Sequence, residues 1–167
     1  MKKSLLLLST SLLLLTACGE NRSERSEELD TETIQYPMPV GGEIKYDKHG
    51  SETWFAYGAM LEVGDFKANG VTQAHQFEDG YYLHTVTLNV DPAEDGYFYE
   101  GWLVKGSSVI STGHLSNYFG DSRHSLRFDS SEDYTGHTEV IVTLEPDDGN
   151  PAPALHVAEG ELRITER

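Results

Sequence analysis

A regular alternation of apolar and polar residues is the feature that most limits the folds open to this chain. In the segment 82–90, every second position lies on one face of an extended backbone: Tyr82, His84, Val86, Leu88 and Val90. A second segment, 138–144, repeats the pattern with Val140, Val142 and Leu144 on one face. A period of two residues indicates β-strands. No segment from Trp54 onward keeps the period of about 3.6 residues that an amphipathic helix requires.

Turn-forming residues separate the extended segments at short intervals. Asp79-Gly80, Lys105-Gly106 and Gly120-Asp121 each stand where an alternating segment stops. We therefore predict about seven strands, near residues 57–66, 81–90, 97–104, 109–115, 124–128, 138–145 and 155–164. Short strands joined by closely spaced turns favour an all-β fold, an antiparallel β-sandwich of the immunoglobulin-like or a similar Greek-key type.

The first 18 residues have the layout of an export signal. Lys2 and Lys3 precede an apolar stretch, 5–15, that is too short to span a bilayer as a helix. The ending Leu15-Thr16-Ala17-Cys18 resembles the lipobox of bacterial lipoproteins, in which diacylglycerol is attached to the cysteine before the signal is removed. We therefore predict lipidation at Cys18. The alternatives are an ordinary thiol beside a conventional cleavage site and an uncleaved signal anchor.

The distribution of charge indicates how the chain is organised after Cys18. Residues 19–33 contain many charges, no aromatic residue and a single leucine, which is the composition of a disordered tether. We predict a signal peptide at 1–17, the lipidated cysteine and a polar tether at 18–52, and one β-sandwich domain at 53–167. Losing Lys2 and Lys3 from the 12 basic side chains leaves 10 against 28 acidic ones, a balance of −18. Such a charge argues against nucleic-acid binding and against lying flat on anionic lipid.

Seven histidines raise the question of a metal site: His49, His75, His84, His114, His124, His137 and His156. Strong metal motifs place two ligands within about four residues of each other, whereas the closest pair here, His75 and His84, is nine positions apart. The acidic segment 147–150 lacks the alternating ligands and closing glutamate of a calcium loop and favours a tight turn instead. We predict no specific metal site and no cofactor.

Catalytic motifs are equally hard to find. No Gly-x-Ser-x-Gly segment occurs, and no pair of carboxylates stands out among the 28 acidic side chains. We therefore expect a protein that is not an enzyme. The aromatic segment 97–102 is a candidate ligand surface, because alternation places Phe98 and Trp102 on one face and Tyr97 and Tyr99 on the other.

Several segments together resemble the C-terminal domain of anti-sigma-K factors. Residues 99–104, Tyr-Glu-Gly-Trp-Leu-Val, are similar to a Tyr-Glu-x-Trp-Leu-Val strand of that family, and residues 112–115 to the strand after it. The segment 140–146, Val-Ile-Val-Thr-Leu-Glu-Pro, and the turn and prolines at 147–153 are similar to its Leu-Glu-Pro strand, glycine-rich turn and proline pair. Residues 160–162, Gly-Glu-Leu, resemble the Gly-x-Leu strand with which the family often closes. The resemblance covers about residues 60–164 and implies a β-sandwich-like domain outside the cytoplasmic membrane, used for sensing or interaction.

The chain departs from that family before Cys18. Family members usually carry a cytoplasmic zinc-binding domain and a transmembrane helix, whereas only a signal is expected here, so sigma-factor binding does not carry over. We expect a lipoprotein of the cell envelope with an extracytoplasmic binding or sensory domain, whose partners are the membrane and an envelope protein or small ligand. The alternative is an envelope lipoprotein that binds metal or a small ligand through scattered histidines and acidic loops. Gly19 after the cysteine resembles outer-membrane sorting, if the source has two membranes.

Overall fold

The computed structural model describes residues 45–46 and 48–165, and all of their regular structure is β. The strands are β1 (Lys45–Tyr46), β2 (Gly50–Glu62), β3 (Asn69–Phe77), β4 (Tyr82–Asn89), β5 (Tyr97–Lys105), β6 (Ser108–His114), β7 (Arg123–Ser130), β8 (Glu139–Pro146), β9 (Leu155–Glu161) and β10 (Arg163–Ile164). The prediction of an all-β antiparallel fold is confirmed. Among these residues no helix is long or apolar enough to cross a membrane.

The predictions for the start of the chain fall mainly outside the described residues. The signal at 1–17, Cys18 and nearly all of the tether lie there. Within the range predicted for the tether, the structure describes β1 and the first residues of β2, which begins at Gly50.

Eight strands form one curled sheet in the order β6-β5-β8-β9-β2-β3-β4-β7, and every neighbouring pair is antiparallel. The short strands β1 and β10 add to β2. The two ends of the sheet meet where Ser116 N donates to Ser125 O at 2.7 Å and Ser125 N donates to Ser116 O at 2.9 Å. The sheet is therefore a barrel-like sandwich that is nearly closed.

The alternation seen in the sequence marks the core. Four β4 residues, Tyr82, His84, Val86 and Leu88, and Val90 directly after the strand are all buried on the inner face as predicted. The four residues other than His84 pack in one cluster with inward residues of the other strands, including Met60, Leu103, Leu126 and Val140. Burial of this apolar surface is the main force that holds the strands together.

The strand prediction was wrong at three places. The sequence pattern did not indicate β3, since its inward positions, Thr72 and Ala74, are small and its outward Val71, 52% exposed, interrupts the alternation of apolar and polar residues. The Asn69-Gly70 pair that reads as a turn lies within the strand; a Cβ at Gly70 would be 2.1 Å from the carbonyl oxygen of Thr87, so this close approach requires glycine. The predicted strand 57–66 is β2 at 50–62, and the predicted strand 155–164 is broken at Leu162 into β9 and β10.

The strand directions divide the connections between two ends of the barrel. Strand β2 begins at the end of the barrel that contains residues 48–49, 78–81, 106–107 and 131–138, and this end is called the proximal end here. The distal end contains the connections 63–68, 90–96, 115–122 and 147–154. One long crossover spans each end: 131–138 joins β7 to β8 across the proximal end, and 90–96 joins β4 to β5 across the distal end.

Candidate binding site at the distal end

The proximal crossover closes its end of the barrel with an aromatic ring. Tyr134 packs on Tyr82 in an edge-on contact, with ring centroids 5.6 Å apart, and on Phe128 at 5.7 Å. His137 of the same crossover lies 5.4 Å from the Tyr134 ring, and its Nε2 is 3.2 Å from the Ser108 hydroxyl at the start of β6. This crossover therefore covers the core, and contacts with Tyr82, Phe128 and Ser108 hold it in place.

The distal crossover leaves a cavity of about 350 Å³ between residues 90–94 and residues 65–67. Its floor consists of core residues: Val90 and Tyr99 are 3% and 5% exposed, and Leu144 and Phe66 are half-buried. Its rim carries the exposed carboxylates of Asp65, Asp91 and Glu94 and the ammonium group of Lys67. A cavity of this size with an apolar floor and a few polar groups is typical of a binding site.

Backbone and side-chain hydrogen bonds fix the walls of this cavity. The Tyr99 hydroxyl donates to the carbonyl oxygen of Asp91 at 2.8 Å, and Tyr97 N donates to Glu94 O at 3.0 Å. Val90 N donates to Ser122 O at 2.9 Å, which joins the crossover to the neighbouring 115–122 connection. The cavity is thus preformed by ordered backbone.

Two aromatic side chains project from the 115–122 connection at the same end. Tyr118 is 80% exposed and Phe119 is 69% exposed, the highest values among the large hydrophobic residues of the described part of the chain. Asn117 holds the connection in shape: its Oδ1 accepts from Gly120 N at 2.8 Å and its Nδ2 donates to Asp121 O at 2.7 Å. Exposed aromatic residues on a fixed loop are characteristic of interaction surfaces.

The distal end is also strongly acidic. Its four connections contain seven carboxylates and a single lysine, Lys67; the carboxylates are Asp65, Asp91, Glu94, Asp95, Asp121, Asp147 and Asp148. Of these, Asp121 forms an ion pair with Arg123 at 2.6 Å, and that arginine also lies 4.1 Å from the centre of the Phe119 ring. The distal end therefore presents negative charge beside exposed aromatic surface.

The structure does not bring the seven histidines together. His84 is buried in the core, with Nε2 2.9 Å from the Thr72 hydroxyl, and burial lowers its pKa to about 4. His49, His75 and His156 each place Nδ1 beside a carboxylate, at 2.7, 2.6 and 2.6 Å. Among residues 48–165, no three histidine, cysteine, aspartate or glutamate side chains are grouped so as to hold a metal ion.

The segment 147–150 forms the turn that its composition favoured. Asp148 Oδ1 accepts from Asn150 N at 2.9 Å, and Gly149 has a φ of +77°, a conformation that glycine adopts without strain.

The aromatic segment 97–102 divides between the two faces as predicted. Tyr99 belongs to the core cluster, and Trp102 lies on the outer face with Val104 and Ile141. Trp102 is only 4% exposed, because it packs along the sheet and its Nε1 donates to the Thr143 hydroxyl at 2.7 Å. The Trp102 ring is therefore not an open ligand surface.

Comparison with protein families decides the relationship of the chain. The family described as anti-sigma-K factor rskA, C-terminal, matches residues 57–161. The chain belongs to this family. The resemblance in the sequence is thereby confirmed, and the β-domain is an anti-sigma-factor-like domain, which indicates a membrane-associated context. Neither a curated protein nor a solved structure matches the chain.

The sequence pattern did not indicate the distal cavity. Its lining comes from segments around 65, 91, 99 and 144 that only the strand order brings together. The available signal was the concentration of acidic residues between the predicted strands, at 91–96, 116–123 and 146–154, but Asp65 fell within the predicted strand 57–66, and in so acidic a chain that signal does not single out one end.

Proposed function

We propose that this member of the anti-sigma-K factor C-terminal family is a lipoprotein, anchored through Cys18, whose β-domain binds a partner protein outside the cytoplasm with its distal end. The observation that carries the proposal is the exposure of two aromatic side chains at that end. Tyr118 and Phe119 project from a connection that the hydrogen bonds of Asn117 hold in place. The proposal assigns binding and sensing to the domain rather than catalysis.

The direction of the chain supports this choice of surface. Strand β1, which contains the first described residues, pairs with Gly50 and Ser51 at the proximal end, so the distal end is the part of the barrel opposite those residues. For a domain tethered through residues that precede Gly50, this end is the one most accessible to a partner in the surrounding space. An acyl anchor with two or more chains holds such a domain at a membrane without any transmembrane helix.

Site-specific crosslinking tests the binding surface. A photoreactive phenylalanine replaces Tyr118 at the distal end or, as a control, exposed Ser107 at the proximal end, and the cells are irradiated intact. We expect a discrete crosslinked species from position 118 that Phe119→Ser weakens and that position 107 does not produce. The same species from both positions, or none from 118, would contradict the proposal.

Metabolic labelling tests the anchor separately. Cells that express the chain with Cys18 intact should incorporate an alkyne analogue of palmitate into it, and Cys18→Ser should abolish the label. Retention of the label in the variant would place the acyl group elsewhere and refute lipidation at Cys18.

A further inference from the structure

The distal cavity combines an apolar floor with an acidic rim, and these two features select for one kind of side chain. The floor is formed by Val90, Tyr99, Leu144 and Phe66, whereas Asp65, Asp91 and Glu94 surround the opening. An anionic ligand would be repelled by the rim, and a wholly apolar one would leave the carboxylates without a partner. A flexible apolar stem that ends in a cation satisfies both parts, which is the chemistry of lysine and arginine side chains.

The rim carboxylates are available for such a cation. Among residues 48–165, the side-chain oxygens of Asp65, Asp91 and Glu94 accept no hydrogen bond and form no ion pair. Lys67 lines the same opening, and within that part of the chain it too forms no ion pair. The rim therefore keeps an excess of two negative charges that no side chain of the described barrel neutralises.

We propose that this cavity is the specificity pocket of the distal end and receives a lysine or arginine side chain of the partner protein. The inference rests on the proposed function, whose partner it describes more closely. The stem of the basic residue lies on Tyr99 and Leu144, and its charged end meets Asp91 and Glu94. Tyr118 and Phe119 then contact apolar residues of the partner beside that basic residue. Because the partner presents a cationic side chain to a processed chain with 10 basic and 28 acidic side chains, association is accelerated at low ionic strength.

Titration with a minimal probe tests the pocket directly. The full chain, with ¹³C-labelled methyl groups, is reconstituted in phosphatidylcholine nanodiscs and titrated with Nα-acetyl-lysine amide. Nα-acetyl-norleucine amide is the matched probe that keeps the apolar stem and lacks the ammonium group. We expect the lysine probe to shift the methyl signals of Val90 and Leu144 and to bind about fivefold more tightly than the norleucine probe, as expected for a few exposed charge contacts.

A pair of variants separates a specific pocket from general attraction to an acidic surface. Asp91→Asn combined with Glu94→Gln removes two rim charges, whereas Asp147→Asn with Asp148→Asn removes two charges from the same end outside the cavity. We expect the first pair to reduce the preference for the lysine probe to less than about twofold and the second pair to preserve it. The methyl spectrum of each unbound variant checks that the fold is intact.

Four results would overturn the inference: equal binding of the two probes, an unchanged preference in the Asp91/Glu94 variant, an equal loss in the Asp147/Asp148 variant, or binding of pentane-1,5-diamine that is tenfold tighter than that of the lysine probe. The last result would assign the pocket to a free diamine. If the probe fails while crosslinking from position 118 succeeds, only the pocket assignment falls. If the probe binds and no crosslink forms, the partner proposal falls.

Discussion

The two ends of this barrel have the same kind of connection and differ in the residues that this connection contains. A long crossover spans each end, 131–138 on one and 90–96 on the other. The proximal crossover directs Tyr134 at the core, where its ring meets Tyr82 and Phe128. The distal crossover has Pro92 and Ala93 at its middle, side chains too small to fill the opening, and carboxylates around them.

The comparison shows that residue type in a crossover, rather than its path, decides whether an end of the barrel is closed. Aromatic residues of the proximal end contact other rings: His49 stacks on Tyr81 with centroids 3.6 Å apart, and Tyr81 packs on Phe77. At the distal end, Tyr118 and Phe119 are exposed. The closed end therefore contributes to stability, whereas the open end holds apolar surface in a form that a partner can cover.

The largest predicted effect is a dependence of the free energy of unfolding on pH, which is caused by the buried His84. His84 lies on β4 beside Phe128 of β7, one inward position from Tyr82, and burial lowers its pKa from 6.5 to about 4. As the pH falls below 6.5, the unfolded chain takes up a proton that the folded chain does not, so the folded state loses about 3 kcal/mol by pH 4.

Urea unfolding at several pH values measures this loss as a difference between variants. The gap in unfolding free energy between the unaltered chain and His84→Gln should change by about 3 kcal/mol from pH 7 to pH 4. His114→Gln, which removes a histidine from an exposed position, is the matched control for the substitution itself. If His84→Gln does not fold, an NMR titration of the His84 ring in the unaltered chain measures the same pKa; a midpoint near 6.5 would contradict the prediction.

Removing the ring that closes the proximal end is expected to have the next largest effect. Tyr134→Ala deletes the contacts with Tyr82, Phe128 and His137 and should lower the free energy of unfolding by about 2 kcal/mol, less than for a fully buried ring because Tyr134 is partly exposed. It should also admit water to the proximal core and raise the pKa of His84 towards its ordinary value.

Two further substitutions serve as controls for the stability loss of Tyr134→Ala. Tyr134→Phe keeps the ring contacts and should lose much less stability than Tyr134→Ala in urea. Tyr118→Ala removes an equally large ring from the open end and should change stability by less than about 0.5 kcal/mol, because that ring is 80% exposed. Equal losses for Tyr134→Ala and Tyr118→Ala would show that the two ends do not differ in the way described.

The sequence predicts the interior of this fold better than its ends. Alternation identified the inward faces of β4 and β8 because each inward position there carries a side chain large enough to mark the period. It failed for β3, where the inward Thr72 and Ala74 are small and the Asn69-Gly70 pair imitates a turn. The local pattern contains no sign that Gly70 is needed for the close approach to Thr87 on the neighbouring strand.

The candidate site was beyond prediction for a different reason. The inward direction of Tyr99 and Leu144 follows from alternation, but the cavity also needs Asp65 and Asp91, which belong to separate turns joined only by the strand order. Trp102 illustrates the same limit on the outer face. Its outward position follows from alternation, but its hydrogen bond to the Thr143 hydroxyl joins residues 41 positions apart and has no local signal.

The smallest predicted effect concerns the bond that holds the distal opening in place. Tyr99→Phe removes the hydroxyl that donates to Asp91 O at 2.8 Å and should cost about 1 kcal/mol in urea unfolding, the usual net value of one hydrogen bond. Tyr97→Phe is the control, since that side chain is half exposed and should change stability by less than about 0.5 kcal/mol.

Faster hydrogen exchange of the amides at 91–96 in Tyr99→Phe, with unchanged exchange at 131–138, would show that the opening is loosened at one end only. If exchange at 91–96 does not change, the backbone bond from Tyr97 N to Glu94 O is sufficient to hold the crossover, and the hydroxyl of Tyr99 has no part in shaping the cavity.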